Sequence, residues 1–426
     1  MHALLLTHGT RGDVQPFLAL ALALSAAGHT ATVAGPESYA PLADAFGVPY
    51  HPVDDGPNAL MDDPAMAGVG ETGLRGLRGA AHTVTLLREI TPRLRPVYTD
   101  MAATADLGAD IVVHIPGMPG AHIAERLGVP AVPVALQPSW VPTGAFPAPG
   151  VPWPRWVPAR FDRLSYRLAE TALRGQRKVA DDLRRDLGLT PRPGAHDPLV
   201  RPDGTPATVI HAFSRHLVPA DAGYPSWVRT TGFWSAPEDG AWDPPKALEG
   251  FLSAGDPPVF IGFGSLPDPD PDATGRMVAA AVRRAGVRAV LASGRGGVTT
   301  VDGEDVLVID QAPHGSLFPR CSAVVHHAGA GTTGAALASG RPQVVCPFWG
   351  DQPFWAGRVH AAGAAPAPLN GRRLTEDALA GALIRVLTGG EIAACAADLG
   401  ERVRAEGGAA EAVRILEEVL ASEGVG

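Results

Sequence analysis

The sequence predicts an α/β protein built from two tandem halves, each a parallel, doubly wound sheet. Short apolar runs at residues 3–6, 30–34, 110–114 and 131–136 alternate with helical stretches at 17–27, 37–46 and 120–127. Such alternation builds parallel sheets with helices on their faces. The pattern breaks at residues 235–248, where Pro237, Pro244 and Pro245 mark a linker. It then restarts. Residues 258–265 repeat the strand and Gly-rich turn of residues 4–12, a helix is expected at 274–285, and strands at 288–292 and 306–309.

The elements of the first half follow in order. Residues 9–16, Gly-Thr-Arg-Gly-Asp-Val-Gln-Pro, read as a loop after strand one. Open α/β sheets bind ligands at that end of a strand. Residues 55–80 and 138–158 are long and irregular, the second rich in Pro and Trp. Stretches of this kind in compact domains are binding loops or lids. Trp140, Phe146 and Trp153 are the candidates for contact with a flat apolar partner. The other reading is that Trp140, Trp153 and Trp156 cover the core. Residues 160–187 read as one long helix with Phe161, Leu164 and Leu168 on a stripe and Arg163, Arg167, Arg174, Arg177 and Lys178 on another face. That face is solvated, or it meets an anionic membrane. Residues 207–213 and 228–233 are expected to close this sheet.

In the second half, His326-His327-Ala328-Gly329-Ala330-Gly331-Thr332-Thr333 reads as a strand end and a Gly-rich turn into a helix at 333–339. The helix stops at Gly340 and Pro342. A turn of this kind aims backbone N–H groups at one point, and the helix dipole adds positive potential there. No Lys follows Gly331-Thr332, so this is not a Walker P-loop. A diphosphate could be held instead by the amides of Gly329 and Gly331, by the Thr332 and Thr333 hydroxyls and by a His. Strand 343–346 then leads to Asp351 and Gln352, groups suited to reading sugar hydroxyls. His326 lies one residue before His327 and points to the opposite strand face, as a core histidine would.

Composition narrows the class. The chain has 426 residues, 46% hydrophobic and 19% charged, enough for two cored domains. A net charge of −9 argues against nucleic acid. Cys321, Cys346 and Cys395 form neither a disulfide framework nor a zinc pattern. The N-terminus reads as a first strand and not as a signal segment, and no run approaches the roughly 20 apolar residues of a membrane span. A cytoplasmic protein without stable membrane insertion, monomeric or dimeric, is expected.

The His-His-x-Gly-x-Gly-Thr-Thr stretch, the later Gly350-Asp351-Gln352-Pro353 and the flanking residues 310–314 and 354–359 resemble the donor signature of family 1 glycosyltransferases. The likeness is to the bacterial antibiotic and sterol 3-beta-glucosyltransferase type. It implies a GT-B architecture: two Rossmann-like domains with parallel sheets facing across a cleft. The implied domains are 1–234 for the acceptor, 235–248 as linker and 249–405 for the nucleotide sugar, with 406–426 as a helix returning to the first. It implies inverting transfer of a hexose from UDP-glucose or a dTDP-sugar to a hydroxyl of a lipophilic small molecule. Neither metal nor cofactor is implied.

The resemblance assigns His327 to the leaving diphosphate, with Ser265 reaching the same phosphate. It assigns Gln311, Ala312 and His314 to the nucleobase, and Asp351 and Gln352 to the sugar. It makes Asp13 the general base. A carboxylate with a pKa of about 4 is a weak base at neutral pH, so it would accept the proton late. Asp13 as a helix cap and His8 as the base stay as alternatives, and the role of Arg11 stays open. The plant pattern has Trp at the position of Gln311 and a ribose-binding Glu at that of Ala335, so UDP and dTDP are not distinguished. A nucleotide-sugar epimerase of the same fold and a non-catalytic helper of a glycosyltransferase are the competing classes.

Overall fold

The computed structural model describes residues 1–58, 90, 92–151, 153–154, 156–168, 177–192, 197–218, 222–236, 242–264, 270–294, 301 and 303–423. The expected loop at 55–80 lies almost wholly outside these, as does Ser265. The chain divides into two compact units. One comprises Met1–Arg215, Pro219–Ala236 and Gly407–Gly426; the other comprises His216–Val218 and Pro237–Glu406.

The first unit holds strands β1 (His2–Leu6), β2 (Thr30–Pro36), β3 (Tyr50–Val53), β4 (Ile111–His114), β5 (Ala131–Ala135), β6 (Val209–His211) and β7 (Val228–Thr230). They form one parallel sheet ordered β3-β2-β1-β4-β5-β6-β7. The chain winds outward from β1 through β2 to β3, then restarts on the other side with β4. The switch point of the winding therefore falls between β1 and β4. The described helices are α1 (Arg11–Ala26), α2 (Ala40–Ala45), α3 (Gly120–Leu127) and α4 (Arg177–Asp186).

The second unit repeats the plan with β8 (Val259–Gly262), β9 (Ala289–Ala292), β10 (Val306–Ile309), β11 (Ala323–His326) and β12 (Gln343–Val345). These are parallel in the order β10-β9-β8-β11-β12, which puts the switch between β8 and β11. Its helices are α5 (Lys246–Ser253), α6 (Pro271–Ala285), α7 (His314–Leu317), α8 (Ala330–Ala338), α9 (Gln352–Ala361), α10 (Glu376–Thr388) and α11 (Gly390–Arg404). The last helix, α12 (Gly408–Glu423), belongs to the first unit. Its Ala412, Val413, Ile415, Leu416 and Val419 join Val14, Phe17 and Leu24 of α1 in one buried cluster.

Several element boundaries differ from the sequence reading. Helix α1 starts at Arg11, not at Phe17, because Thr10 and Asp13 form a capping box that nucleates it upstream of Pro16. Pro16 lies about a turn inside the helix, where its missing N–H costs one bond. Residues 37–46 resolve into a 3-10 turn (Glu37–Tyr39) and the short α2. Helix α8 opens at Ala330, three residues early, so Gly331 and Thr332 lie in its first turn. Residues 160–187 do not begin as an α-helix, since Ala159–Ser165 is 3-10; residues 166–168 and α4 are α-helical, and residues 169–176 lie outside the described residues. Lys246, assigned to the linker, begins α5.

Leu416 is fully buried in the α1–α12 cluster. Leu416→Ala should cost about 2–5 kcal/mol in a denaturant titration. A loss below about 0.5 kcal/mol would show that α12 does not contribute to the core of the first unit.

Candidate active-site elements

The second unit gathers its chemistry at the carboxyl ends of its strands. His327 follows β11 directly. Its imidazole lies between two glycines, one from each side of the switch point. A Cβ on Gly264, after β8, would stand 2.6 Å from the ring Cε1, and one on Gly329 would stand 2.6 Å from Nε2. Gly264 also has φ +77, the left-handed region that suits glycine. Only a residue without a side chain fits at either position. The ring's Nδ1 is buried and has no hydrogen-bond partner. Desolvation lowers the His327 pKa to about 4, so the ring is neutral near pH 7 and can still donate one N–H.

Helix α8 opens beside this ring, with Gly329 as its N-cap. The first-turn amides of a helix lack intrahelical partners, and those of Ala330, Gly331 and Thr332 lie here. The Thr333 hydroxyl, fully buried, also lacks a partner, although the Thr333 amide is already bonded to the Gly329 carbonyl. Buried polar atoms left unpaired are costly. Two of them at one helix N-terminus describe a site suited to an anion with several oxygens.

His326 is built for support. Its Nδ1 accepts from the Ala328 amide (3.1 Å) and its Nε2 donates to Gln343 Oε1 (2.9 Å). The first of these bonds holds Ala328 at φ 66, a conformation rare for a residue with a Cβ. It turns the chain sharply from β11 into α8. Burial drives the His326 pKa down to about 3, so it is a neutral core histidine.

After β12, the loop reaches Asp351, the N-cap of α9. Trp355 Nε1 donates to Asp351 Oδ2 at 2.8 Å, and burial raises the Asp351 pKa. Gln352 Oε1 accepts from the amides of Phe348 (2.8 Å) and Trp349 (3.3 Å), which fixes the loop to the helix. Beyond β10, Gln311 is exposed and Ala312 and His314 are half-buried. The His314 ring stacks on Phe318 at 4.4 Å, so one of its faces is committed to the core.

In the first unit, Asp13 sits in the first turn of α1. Its Oδ2 accepts from the Thr10 amide (2.7 Å) and Thr10 Oγ1 (3.1 Å). Gly9, at φ +135, admits this carboxylate: a Cβ there would stand 2.3 Å from Oδ2. Asn58 Nδ2 donates to the Gly9 carbonyl (2.5 Å), and Thr7 Oγ1 to the Asp13 carbonyl (2.8 Å). Asp13 thus has the capping geometry weighed as its alternative, and it presents a fixed carboxylate at the β1 end. His8 is directed elsewhere. Its Nε2 donates to the Asp54 carbonyl (3.1 Å), and burial lowers its pKa.

Among the loop aromatics, Trp153 Nε1 donates to Asp162 Oδ1 (3.1 Å), and Trp140 is half-buried. Phe146 is buried, in a loop tied by Tyr166 to the Pro138 and Phe146 carbonyls (3.3 and 3.5 Å) and by Ala148 to Ser165 Oγ (2.7 Å). Trp156 does not cover the core; it is exposed. Sequence reasoning missed Gly264, Thr10, Asn58 and Trp355. The Asp351-to-Trp355 spacing of four was a legible signal, because such residues meet on a helix face.

Four histidines at strand ends are buried and neutral: His114 and His327 with pKa about 4, His211 and His326 about 3, all through desolvation. The unfolded chain titrates these groups near 6.5, so below that pH it binds more protons than the folded form. Stability therefore falls as pH drops from about 6.5 towards 4. Chemical unfolding at pH 7 and pH 5 should give the lower free energy at pH 5. Equal or greater stability at pH 5 would mean these rings are hydrated and not buried.

Comparison with known proteins shows the family and the fold. Residues 3–143 match the glycosyltransferase family 28 N-terminal domain, and residues 280–419 match the erythromycin biosynthesis protein CIII-like C-terminal domain. The chain is 34% identical to O-mycaminosyltylonolide 6-deoxyallosyltransferase of Streptomyces fradiae, over 98% of this chain and 97% of that one. It is 33% identical to sterol 3-beta-glucosyltransferase UGT80A2 of Arabidopsis thaliana, over 87% of this chain, and 33% identical to the Emericella nidulans sterol 3-beta-glucosyltransferase, over 96%. It spans 58% and 29% of those two longer proteins. In fold it is similar to the spinosyn forosaminyltransferase SpnP (TM-score 0.68, 20% identity, 99% of both chains). It is also similar to the glycosyltransferase VinC in complex with dTDP (TM-score 0.66, 20% identity, 99% of this chain and 100% of that one).

Proposed function

This chain belongs to the GT-B glycosyltransferase family of antibiotic and sterol type, and on that premise we propose that it moves a hexose from a UDP- or dTDP-sugar to a hydroxyl of a lipophilic small molecule, with inversion. The observation that carries this reading is the His327 ring, fitted between Gly264 and Gly329 with an unpaired Nδ1 at the opening of α8. A diphosphate supplies the acceptor oxygens that this nitrogen, the Thr333 hydroxyl and the α8 amides lack. The names of the relatives support the acceptor class: a tylonolide in one, sterols in others.

In this mechanism the acceptor oxygen attacks the anomeric carbon as the bond from that carbon to the diphosphate breaks. The acceptor proton goes to the Asp13 carboxylate of the first unit. In the second unit the leaving diphosphate gathers negative charge, which the neutral His327 N–H and the α8 amides stabilise. Asp351 and Gln352 take the sugar hydroxyls, and residues 311–314 take the base. Charge on the leaving group is met by protein dipoles, so the reaction is assigned no metal and no cofactor. A donor of either nucleotide is compatible with these groups.

Calorimetry of the intact protein against UDP and dTDP, with and without EDTA, tests the donor site. One nucleotide should bind in both conditions, and His327→Ala should weaken it by about tenfold, the loss of a buried hydrogen bond. Unchanged affinity in the variant would remove His327 from the site. Asp13→Asn keeps an oxygen to accept from Thr10, so the α1 cap survives. Transfer should nevertheless fall by about 10²–10⁴ while nucleotide affinity stays. Retained turnover would move the base elsewhere.

A further inference from the structure

Residues 156–168 of the first unit carry a surface that the transfer chemistry does not use. Trp156 is 83% exposed, Phe161 40%, Leu164 45% and Leu168 51%. Isolated apolar side chains on a surface need no explanation, but four within thirteen residues do. The exposure is imposed by the backbone. Ala159–Ser165 is a 3-10 helix, so residues three apart eclipse one another. Three ridges result. Asp162 and Ser165 form the inner one and are buried. Phe161 and Leu164 form the second, and Arg160 and Arg163 the third, both exposed.

The inner ridge is tied down. Trp153 donates to Asp162 Oδ1 (3.1 Å), the Ser165 hydroxyl donates to the Asp162 carbonyl (2.5 Å), and the Ala148 amide donates to Ser165 Oγ (2.7 Å). These bonds hold the turn in one orientation, so the apolar and cationic ridges cannot rotate inward. The segment's only acid, Asp162, is the one turned away from solvent. The outer surface is therefore cationic and apolar, on a chain whose net charge is −9. The Arg160 guanidinium lies over the Phe161 ring at 4.8 Å, which keeps its charge beside the apolar ridge.

We propose that residues 156–168 dock the protein on an anionic phospholipid surface. The apolar ridge and Trp156 enter the boundary between headgroups and acyl chains, where an indole is at home. Arg160 and Arg163 pair with lipid phosphates at the same depth. The surface lies on the first unit alone and stands independently of the transfer reaction. Among the described residues no single helix is long and apolar enough to cross a membrane. The contact is peripheral.

Flotation of the intact protein with vesicles tests this. It should float with phosphatidylcholine vesicles containing phosphatidylglycerol, float poorly with phosphatidylcholine alone, and release as salt rises. Arg160→Gln with Arg163→Gln should weaken partitioning by about 25-fold, about fivefold per arginine. Trp156→Ser with Phe161→Ser and Leu164→Ser should abolish it, with thermal melting as the check of folding. If the apolar variant does not fold, the exposed arginine pair carries the test alone. No flotation with the anionic vesicles, or flotation unchanged in the arginine pair, overturns the proposal. So does a self-associating wild type that fails to float and that the apolar variant renders monomeric, which would assign the surface to a second copy.

Discussion

The His327 imidazole fills a gap that tolerates no neighbouring Cβ, and much of the second unit depends on that fit. The gap exists because β8 and β11 are adjacent although two strands separate them in sequence. It stays open because Gly264 and Gly329 border it. The His326–Ala328 bond bends the chain from β11 into α8. An alanine at either glycine would displace the ring or the turn. The geometry at the helix opening is thus fixed by packing before any ligand arrives, which is the condition for electrostatic stabilisation without reorganisation.

The two halves solve the same problem twice. In each, a positive-φ glycine follows the strand that starts the winding, Gly9 after β1 and Gly264 after β8. In each, that glycine makes room for a polar side chain: the Asp13 carboxylate and the His327 ring. The recipients differ in origin. Asp13 comes from the helix immediately after β1, whereas His327 comes from the far side of the switch point. The first unit thus fixes a carboxylate from a neighbouring segment, and the second a ring from a distant one.

Much of this was legible in the sequence because it is local. Alternating apolar runs gave the parallel sheets, and the Gly-Ala-Gly-Thr-Thr turn pointed to an anion site at a helix opening. Helix starts were misread where a breaker and a cap competed: Pro16 drew attention away from the Thr10–Asp13 box. The start of residues 160–187 was misread because a helical stripe does not reveal a 3-10 turn, whose inner ridge is polar. The glycine-bordered gap could not be read at all, since it depends on which strands become neighbours. The unpaired state of His327 Nδ1 and Thr333 Oγ1 is likewise a property of packing.

One detail of the loop after β12 fixes the polarity it presents. The Gln352 carbonyl oxygen is already taken by two backbone amides, from Phe348 and Trp349. The side chain cannot flip without breaking both bonds, so what it can offer outward is its NH₂ group. The neighbouring Asp351, once ionised, can only accept. A sugar bound here meets a donor and an acceptor in fixed order. A hydroxyl can satisfy either partner by rotating its proton, but an amino or deoxy substituent at the same carbon cannot. The polarity that the loop presents is therefore set by its own backbone.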